Sequence, residues 1–418
     1  MKKVRIVGGG LTGVLAAFQA HGLGCRDIEL HERFDALGGV ALPQSRGGLE
    51  LREGCIYFGP AGDPIRTLLE GHGVGFEDID NRFGSVSLGA GGDLTATRDF
   101  GGPAYPCADL ALTPPAGDSL ANRIACYPAP IAEAVASYCR WHLGDAPLEE
   151  VHESAAIPLA VNRVFPALGD LPQLAQLKTE SPLHDELFAI PRHLWGRTNN
   201  ATAALPTDGF PAMFRQCRQA LERLGVRVHD TSLVSPRQAL AARKDDEVLV
   251  WAANPTPLFK PLGLRPPKLV RKTFATYVFR CRYEGPLPFY VQNFTAEGAV
   301  FRIYVYESGG QALATAECVE EADDAPLRRE IDRWMSPFEE VRMSLGEQVF
   351  ANLQPRWIYH STDAMAQLEA LRDVAAKTLG PSFVPGAWEP YSKAEKFHQV
   401  QAALEAALGA GRRAATAA

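Results

Sequence analysis

Hydrophobic and polar positions change period repeatedly along the chain, and each change marks an element. Val4, Ile6 and Val7 read as a short strand running straight into Gly8-Gly9-Gly10-Leu11-Thr12-Gly13. A helical run from Val14 to Ala20 follows, then a second strand from Asp27 to His31 that ends on Glu32. Ile65, Leu68 and Leu69 share one face of a helix beginning at Pro64. Residues Phe76 to Leu88 alternate weakly, and Gly91-Gly92 predicts a hairpin turn before Leu94-Thr95-Ala96.

Prolines and glycines crowd residues 99 to 120, which predicts an irregular connection. Ile131, Val135 and Tyr138 place a helix over Ala129 to Leu143, opened by Pro128 and Pro130. Proline-punctuated helical fragments continue to Trp195, so residues 96 to 205 read as a largely helical insertion. Leu205-Pro206-Thr207-Asp208-Gly209-Phe210-Pro211 then precedes an amphipathic helix, Ala212 to Leu224, stopped by Gly225 before the strand Val226-Arg227-Val228. Val248 to Ala253 is an apolar strand ending in small residues. Lys272 to Arg282 and Ala299 to Tyr306 are also expected as strands. In the second, Val300, Arg302, Tyr304 and Tyr306 alternate with Phe301, Ile303 and Val305. Pro326 to Met335 and Ser392 to Leu408 read as helices, and the tail from Gly409 as disordered.

Composition narrows the class. The chain has 418 residues, 46% of them hydrophobic and 22% charged, which fits a globular protein of two or three domains with a sizeable core. The net charge is −7, and no basic block occurs outside Arg412-Arg413, which argues against a nucleic-acid partner. No apolar run is long enough to span a bilayer. Eight scattered cysteines without a C-x-x-C pair suit a reduced, cytoplasmic protein. The ten histidines show no H-E-x-x-H spacing, and no protein-bound metal is expected. Met1-Lys2-Lys3 has the charge order of a secretory leader, but three consecutive glycines would interrupt its hydrophobic region.

The chemistry concentrates in the first forty residues. Strand, glycine turn, helix, strand and acid form the order of a dinucleotide-binding unit. Gly8 permits the tight turn, Gly10 lets backbone amides approach a pyrophosphate, and Gly13 lets the helix pack on the strand. The helix N-terminus, at Leu11 and Thr12, offers partial positive charge to phosphates. Glu32, nineteen residues after Gly13, is placed to accept ribose hydroxyls.

After Glu32 come Arg33-Phe34-Asp35-Ala36-Leu37 and the pair Gly38-Gly39. Here the chain resembles the flavoprotein group that includes amine oxidases, protoporphyrinogen oxidase, phytoene desaturase and UDP-galactopyranose mutase. The resemblance implies FAD as cofactor and an α/β fold: a discontinuous Rossmann-like FAD-binding domain with a mixed α+β substrate domain. The implied segments are 1–95, 205–270 and 355–410 for the FAD domain and 96–204 and 271–354 for the substrate domain, with 411–418 as a disordered tail. Cofactor contacts are implied at Gly8, Gly10, Leu11, Thr12, Gly13, Glu32, Arg33, Gly38, Gly39, Val234, Ala252, Gly386 and Tyr391. The chain departs from the pattern in three places. Val40 follows the glycine pair where many members have arginine, and Ala387 replaces another arginine. Gly54-Cys55-Ile56-Tyr57-Phe58-Gly59 lacks the histidines that mutases carry there.

The same resemblance implies an FAD-dependent oxidoreductase that oxidises a small polar or anionic substrate by hydride transfer to the flavin. The alternatives are a non-redox, mutase-like enzyme acting on a sugar nucleotide through reduced flavin, and a flavin-binding protein without turnover. Arg302 is the expected anion-binding side chain, with Tyr304 on the same face, and Arg197, Tyr391 and Tyr57 as further substrate candidates.

Overall fold

A computed structural model of the chain describes residues 2–53, 56–80, 82–88, 92–97, 104–106, 109–167, 171–189, 202–241 and 246–415. Two main sheets organise it. The first has five parallel strands in the order Arg227–His229, Ile28–His31, Lys3–Val7, Glu247–Trp251, Phe383–Pro385. Alternation sends Val4, Ile6, Ile28, Leu30, Val248, Val250 and Val384 to one face, where they pack in one core with the helices Leu11–Gly22, Gly209–Arg223 and Lys393–Ala415. On the opposite face the sheet is divided. Val7, Leu249, Trp251 and Phe383 form an apolar half against the helix Thr362–Leu379. Lys3, Arg5, Glu29, His31, Arg227 and His229 make the other half polar. Parallel sheets are usually apolar on both faces, so this half is unusual.

The second sheet has seven strands in the order Arg342–Tyr359, Val270–Glu284, Gln311–Cys318, Val300–Ser308, Phe289–Asn293, Arg82–Leu88, Leu94–Thr97. Its pairs are antiparallel except Phe289–Asn293 with Arg82–Leu88. Ile303, Val305, Ala314 and Ala316 pack under Leu327, Ile331 and Trp334 of the helix Asp324–Met335. Helices Leu120–Ile124, Ala129–Leu143 and Pro182–Leu187 close one end of this sheet, burying Val135 and Tyr138 in one core with Phe274, Phe301 and Tyr359.

Several expectations change. Phe76–Leu88 is two strands, because Phe76–Asp80 pairs with Thr202–Pro206 while Arg82–Leu88 enters the large sheet. The hairpin partner Leu94–Thr97 follows it there, so residues 82–97 sit with the second sheet and not with the first segment. Strand Arg342–Tyr359 likewise carries 355–359 into the second sheet. A bulge between Val300 and Arg302 breaks the expected alternation, putting Val300 in the core under the Asp324–Met335 helix and turning Phe301 toward the helical insertion. The return helix starts at Gly209, whose φ of +78° suits glycine, and Pro211 is tolerated in its first turn. The final helix runs to Ala415, into the segment expected as a disordered tail. Within 99–120, residues Ala104–Pro106 pair with Phe165–Ala167. Among the described residues no helix is long and apolar enough to cross a membrane, and Cys25, Cys126, Cys139, Cys217, Cys281 and Cys318 are free thiols.

Candidate functional site

The glycine turn is fixed by contacts that only glycines allow. Gly8 has φ +105°, and a Cβ on it would lie 2.8 Å from the amide nitrogen of Ala253. A Cβ on Gly13 would lie 1.8 Å from the Gly8 carbonyl oxygen, so the helix can pack this closely only without a side chain. Gly10 differs. It caps the helix at φ −67°, and a Cβ there would meet nothing nearer than 4.0 Å. The space in front of the turn is open, Leu11 and Thr12 are half-buried at the helix start, and no acidic residue occupies the first turn. That combination favours an anion.

Gly38-Gly39 lies directly against this turn. Gly38 donates its amide to the Gly9 carbonyl at 2.9 Å and forms a parallel bridge with Gly10. A Cβ on Gly39, at φ +56°, would come within 3.3 Å of the Gly10 Cα. Val40, which departs from the resembled group's pattern after the glycine pair, is fully exposed.

Glu32 is buried and ties the two pieces together. Its Oε2 accepts from the Gly9 amide at 2.6 Å and its Oε1 from the Phe34 amide at 2.9 Å. Carboxylate oxygens have further acceptor sites, so ribose hydroxyls can still be received. The Glu32 backbone is clipped to the returning chain through His229 and Ser232, two residues before Val234. Val234 itself packs partly buried in the core on the sheet's apolar half-face. Arg33 is exposed, its guanidinium 4.4 Å from the centroid of the Phe34 ring.

The third side of the site comes from the two strand ends beside the first. Ala252 and Ala253 both donate to the Val7 carbonyl at 2.9 Å. A Cβ on Gly386 would lie 2.5 Å from the Trp251 carbonyl oxygen and 2.7 Å from the Ala252 Cα, so glycine is required where the last strand turns. Ala387 follows in the left-handed region at φ +52°. Tyr391 is held by the His360 amide, which donates to its hydroxyl at 2.9 Å, and burial pushes its pKa up to about 12.

On the large sheet, Tyr290, Tyr304 and Tyr306 form a tyrosine-rich wall that is buried in one cluster with Leu49, Leu51 and Leu313. Tyr304 and Tyr306 stack at 5.0 Å, and Tyr57 meets Tyr304 edge-on at 6.3 Å. Lys393, from the start of the final helix, donates to the Tyr57 carbonyl. The Tyr306 hydroxyl accepts from the Arg52 amide at 2.8 Å and donates to the Glu50 carbonyl at 3.2 Å, pinning this segment to the wall. Arg302 does project on the face of Tyr304 and Tyr306, but it is buried in an ion pair with Glu317 of the neighbouring strand. The expected anion-binding cation therefore already has a counter-charge. Arg197 and Cys55 lie outside the described residues.

Sequence reasoning missed Arg52, Tyr290 and Gln292. Arg52 stands with its guanidinium 5.1 Å from the Tyr306 ring centroid. The Tyr290 hydroxyl donates to Gln292, which in turn donates to the Tyr138 hydroxyl at 2.9 Å. A proline-bounded run of aromatic and branched residues, Phe289-Tyr290-Val291, was the available signal. Beside the wall opens a cleft of about 470 Å³ whose lining includes Glu50, Arg52, Glu77, Asp208, Tyr306 and Glu307.

No family model and no curated protein matches the chain. Solved structures do match it over nearly its whole length. A reduced UDP-galactopyranose mutase aligns with 98% of this chain and 96% of its own at 14% identity, with a TM-score of 0.66. A redesigned putrescine oxidase covers 99% of both chains at 15% identity, TM-score 0.57. A cyclohexylamine oxidase from Brevibacterium oxydans IH-35A covers 98% of both at 12% identity, TM-score 0.57. The chain has the mutase and amine oxidase fold. Such identities speak to architecture alone.

Proposed function

We propose that the chain is an FAD-dependent oxidoreductase acting on a small polar molecule. The observation that carries the reading is the carboxylate of Glu32 bonded to the Gly9 amide inside a turn that Gly8, Gly13 and Gly38 make possible. Those residues fit a dinucleotide: the open space at Gly10 suits a pyrophosphate, and Glu32 suits a ribose. Leu11, Thr12, Gly39, Arg33 and Val234 would complete the nucleotide end, with Ala252, Gly386 and Tyr391 toward the other end. FAD bound there would supply two-electron acceptance from a substrate.

The protein's own part is to hold and shield. Close packing of Gly386 on Ala252 keeps side chains away from the strand ends. Half-buried Tyr57 offers a flat, hydroxyl-bearing surface to orient a small substrate and exclude water, with Tyr304 and Tyr306 buried behind it. Arg302 is neutralised by Glu317 and Arg52 is faced by Glu50 at 3.5 Å, which favours a polar substrate over an anionic one. In this reading the cofactor domain comprises the segments before residue 80, 205–260 and 360–410, and the large sheet with the helices around 120–189 forms the substrate domain.

The second reading, a mutase-like enzyme working with reduced flavin, is supported by the place of Arg302 on the wall strand. It is weakened by Glu317, by Ala387 and by the lack of any histidine between residues 33 and 71. Anaerobic mixing of the purified yellow protein with small polar donors separates the two. Bleaching of the oxidised flavin spectrum by a donor is expected. Turnover that needs prior dithionite reduction and leaves the flavin redox state unchanged would replace the first reading with the second. A protein that binds no FAD would end both.

A further inference from the structure

His31 and His229 stand 198 positions apart in the sequence, yet the fold makes them register partners on adjacent parallel strands. Their rings stack with centroids 4.6 Å apart. Glu29 lies two residues before His31 on the same strand, so both side chains leave the sheet on one face. One donor atom from each of the three lies within 4.8 Å of the other two. Two ligands at i and i+2 on one strand, with a third from its neighbour, face a common point above the sheet. The linear spacing of the histidines concealed this, and the sequence alone pointed to no metal.

Three further features suit an ion. Ser232 Oγ lies 3.0 Å from His31 Nδ1, fixing the ring through the nitrogen that a metal would not use. His31 Nε2 makes no hydrogen bond and points within 3.7 Å of Glu29 Oε2. The triad also occupies the polar half-face of the parallel sheet, beside an apolar half that is covered by a helix.

We propose that Glu29, His31 and His229 bind a divalent first-row ion of the zinc type, with water completing the shell. Two imidazoles and one carboxylate are nitrogen-rich for magnesium or calcium and well matched to zinc. Ligand bonds of ~2.1 Å need the donors drawn together by roughly 1 Å, within reach of side-chain rotation. The present holders of Glu29 are Lys3 at 2.7 Å, Arg227 at 3.0 Å and, more distantly, Arg5 at 3.8 Å, which is also paired with Glu247 at 3.0 Å. Lys3 is the ion's direct competitor, and Arg227 retains Asp27 as partner when Glu29 turns away. An ion here would bolt the edge strand Arg227–His229 to Ile28–His31, immediately before Glu32.

Calorimetric titration of zinc chloride into full-length, tag-free, chelator-treated protein tests this without reference to FAD or activity. One ion per chain is expected. His229→Ala and His31→Gln should each weaken binding at least ~10-fold, Ser232→Ala by ~10-fold, and Lys3→Met should tighten it. Thermal melts of each variant confirm folding, and His229→Gln replaces any His229→Ala protein that fails to fold. Absence of saturable binding, or equal affinity in wild type and the histidine variants, would overturn the proposal.

Discussion

Oε2 of Glu32 lies 2.6 Å from the Gly9 amide nitrogen, so the acid at the end of the second strand and the glycine turn after the first are one unit. Glu32→Ala leaves the Gly9 and Phe34 amides without that acceptor, at a cost of ~1–3 kcal/mol. It also removes the proposed ribose ligand. A flavin-to-protein absorbance ratio after desalting should fall sharply, and the urea midpoint should drop. Retention of full flavin content would remove Glu32 from the cofactor site.

Gly10 and Gly13 are three residues apart but should respond oppositely to the same substitution. Gly13→Ala puts a Cβ 1.8 Å from the Gly8 carbonyl oxygen, an overpacking that costs ~1–3 kcal/mol or more and should lower the melting temperature markedly. Gly10→Ala meets no atom nearer than 4.0 Å and should fold with near-wild-type stability. Its methyl group fills the space proposed for the pyrophosphate, so it should purify colourless. Equal stability loss in both variants would show that the open space at Gly10 has another cause.

The ion pair of Arg302 and Glu317 is buried, and removing one member should cost ~3–5 kcal/mol because the other is left uncompensated. Arg302→Met and Glu317→Gln should therefore each destabilise strongly, while the double variant recovers most of the loss. Chemical denaturation of the four proteins gives the coupling directly. Additive losses would indicate that Arg302 and Glu317 are stabilised by separate partners.

His142 sets a pH dependence. It is wholly buried with Nε2 2.9 Å from the Tyr359 hydroxyl, and burial holds its pKa at about 3, with Arg302 and Lys272 pushing the same way. Unfolded, the imidazole titrates near 6.5. Protons therefore favour the unfolded chain: the stabilising contribution is complete above pH ~6.5 and is lost as pH falls toward 3. Between pH 7 and 5 the loss should be about 2 kcal/mol. Unfolding free energies of wild type and His142→Gln at the two pH values should differ in slope by that amount.

Legibility in the sequence followed local determinacy. The nucleotide turn was readable because strand, glycine turn, helix, second strand, Glu32 and the Gly38-Gly39 pair all fall within forty residues. Helix Ala129–Leu143 was readable to the residue because prolines mark its start and Gly144 its end. Strand Arg342–Tyr359 was not, since it is an edge strand with three register irregularities against its partner and tolerates Pro355 within it. Helix Thr362–Leu379 carried a legible signal that was passed over: a Ser361 cap followed by Leu368, Leu371, Ala375 and Leu379 at helical spacing. The place of Arg302 on the wall was visible in its alternation with Ile303 and Val305. Its neutralisation was not, because Glu317 reaches it only by strand pairing across a hairpin.

The parallel pairing of Lys3–Val7 with Glu247–Trp251 has a consequence for biosynthesis. The first strand leaves the ribosome long before its partner exists, and the last strand of that sheet, Phe383–Pro385, comes later still. At ~5–20 residues per second, the nascent glycine-turn unit waits on the order of 10–50 s with one edge bare. During that interval Val4, Ile6 and Val7 are an apolar strand without a neighbour on that side, the kind of segment that holdase chaperones bind.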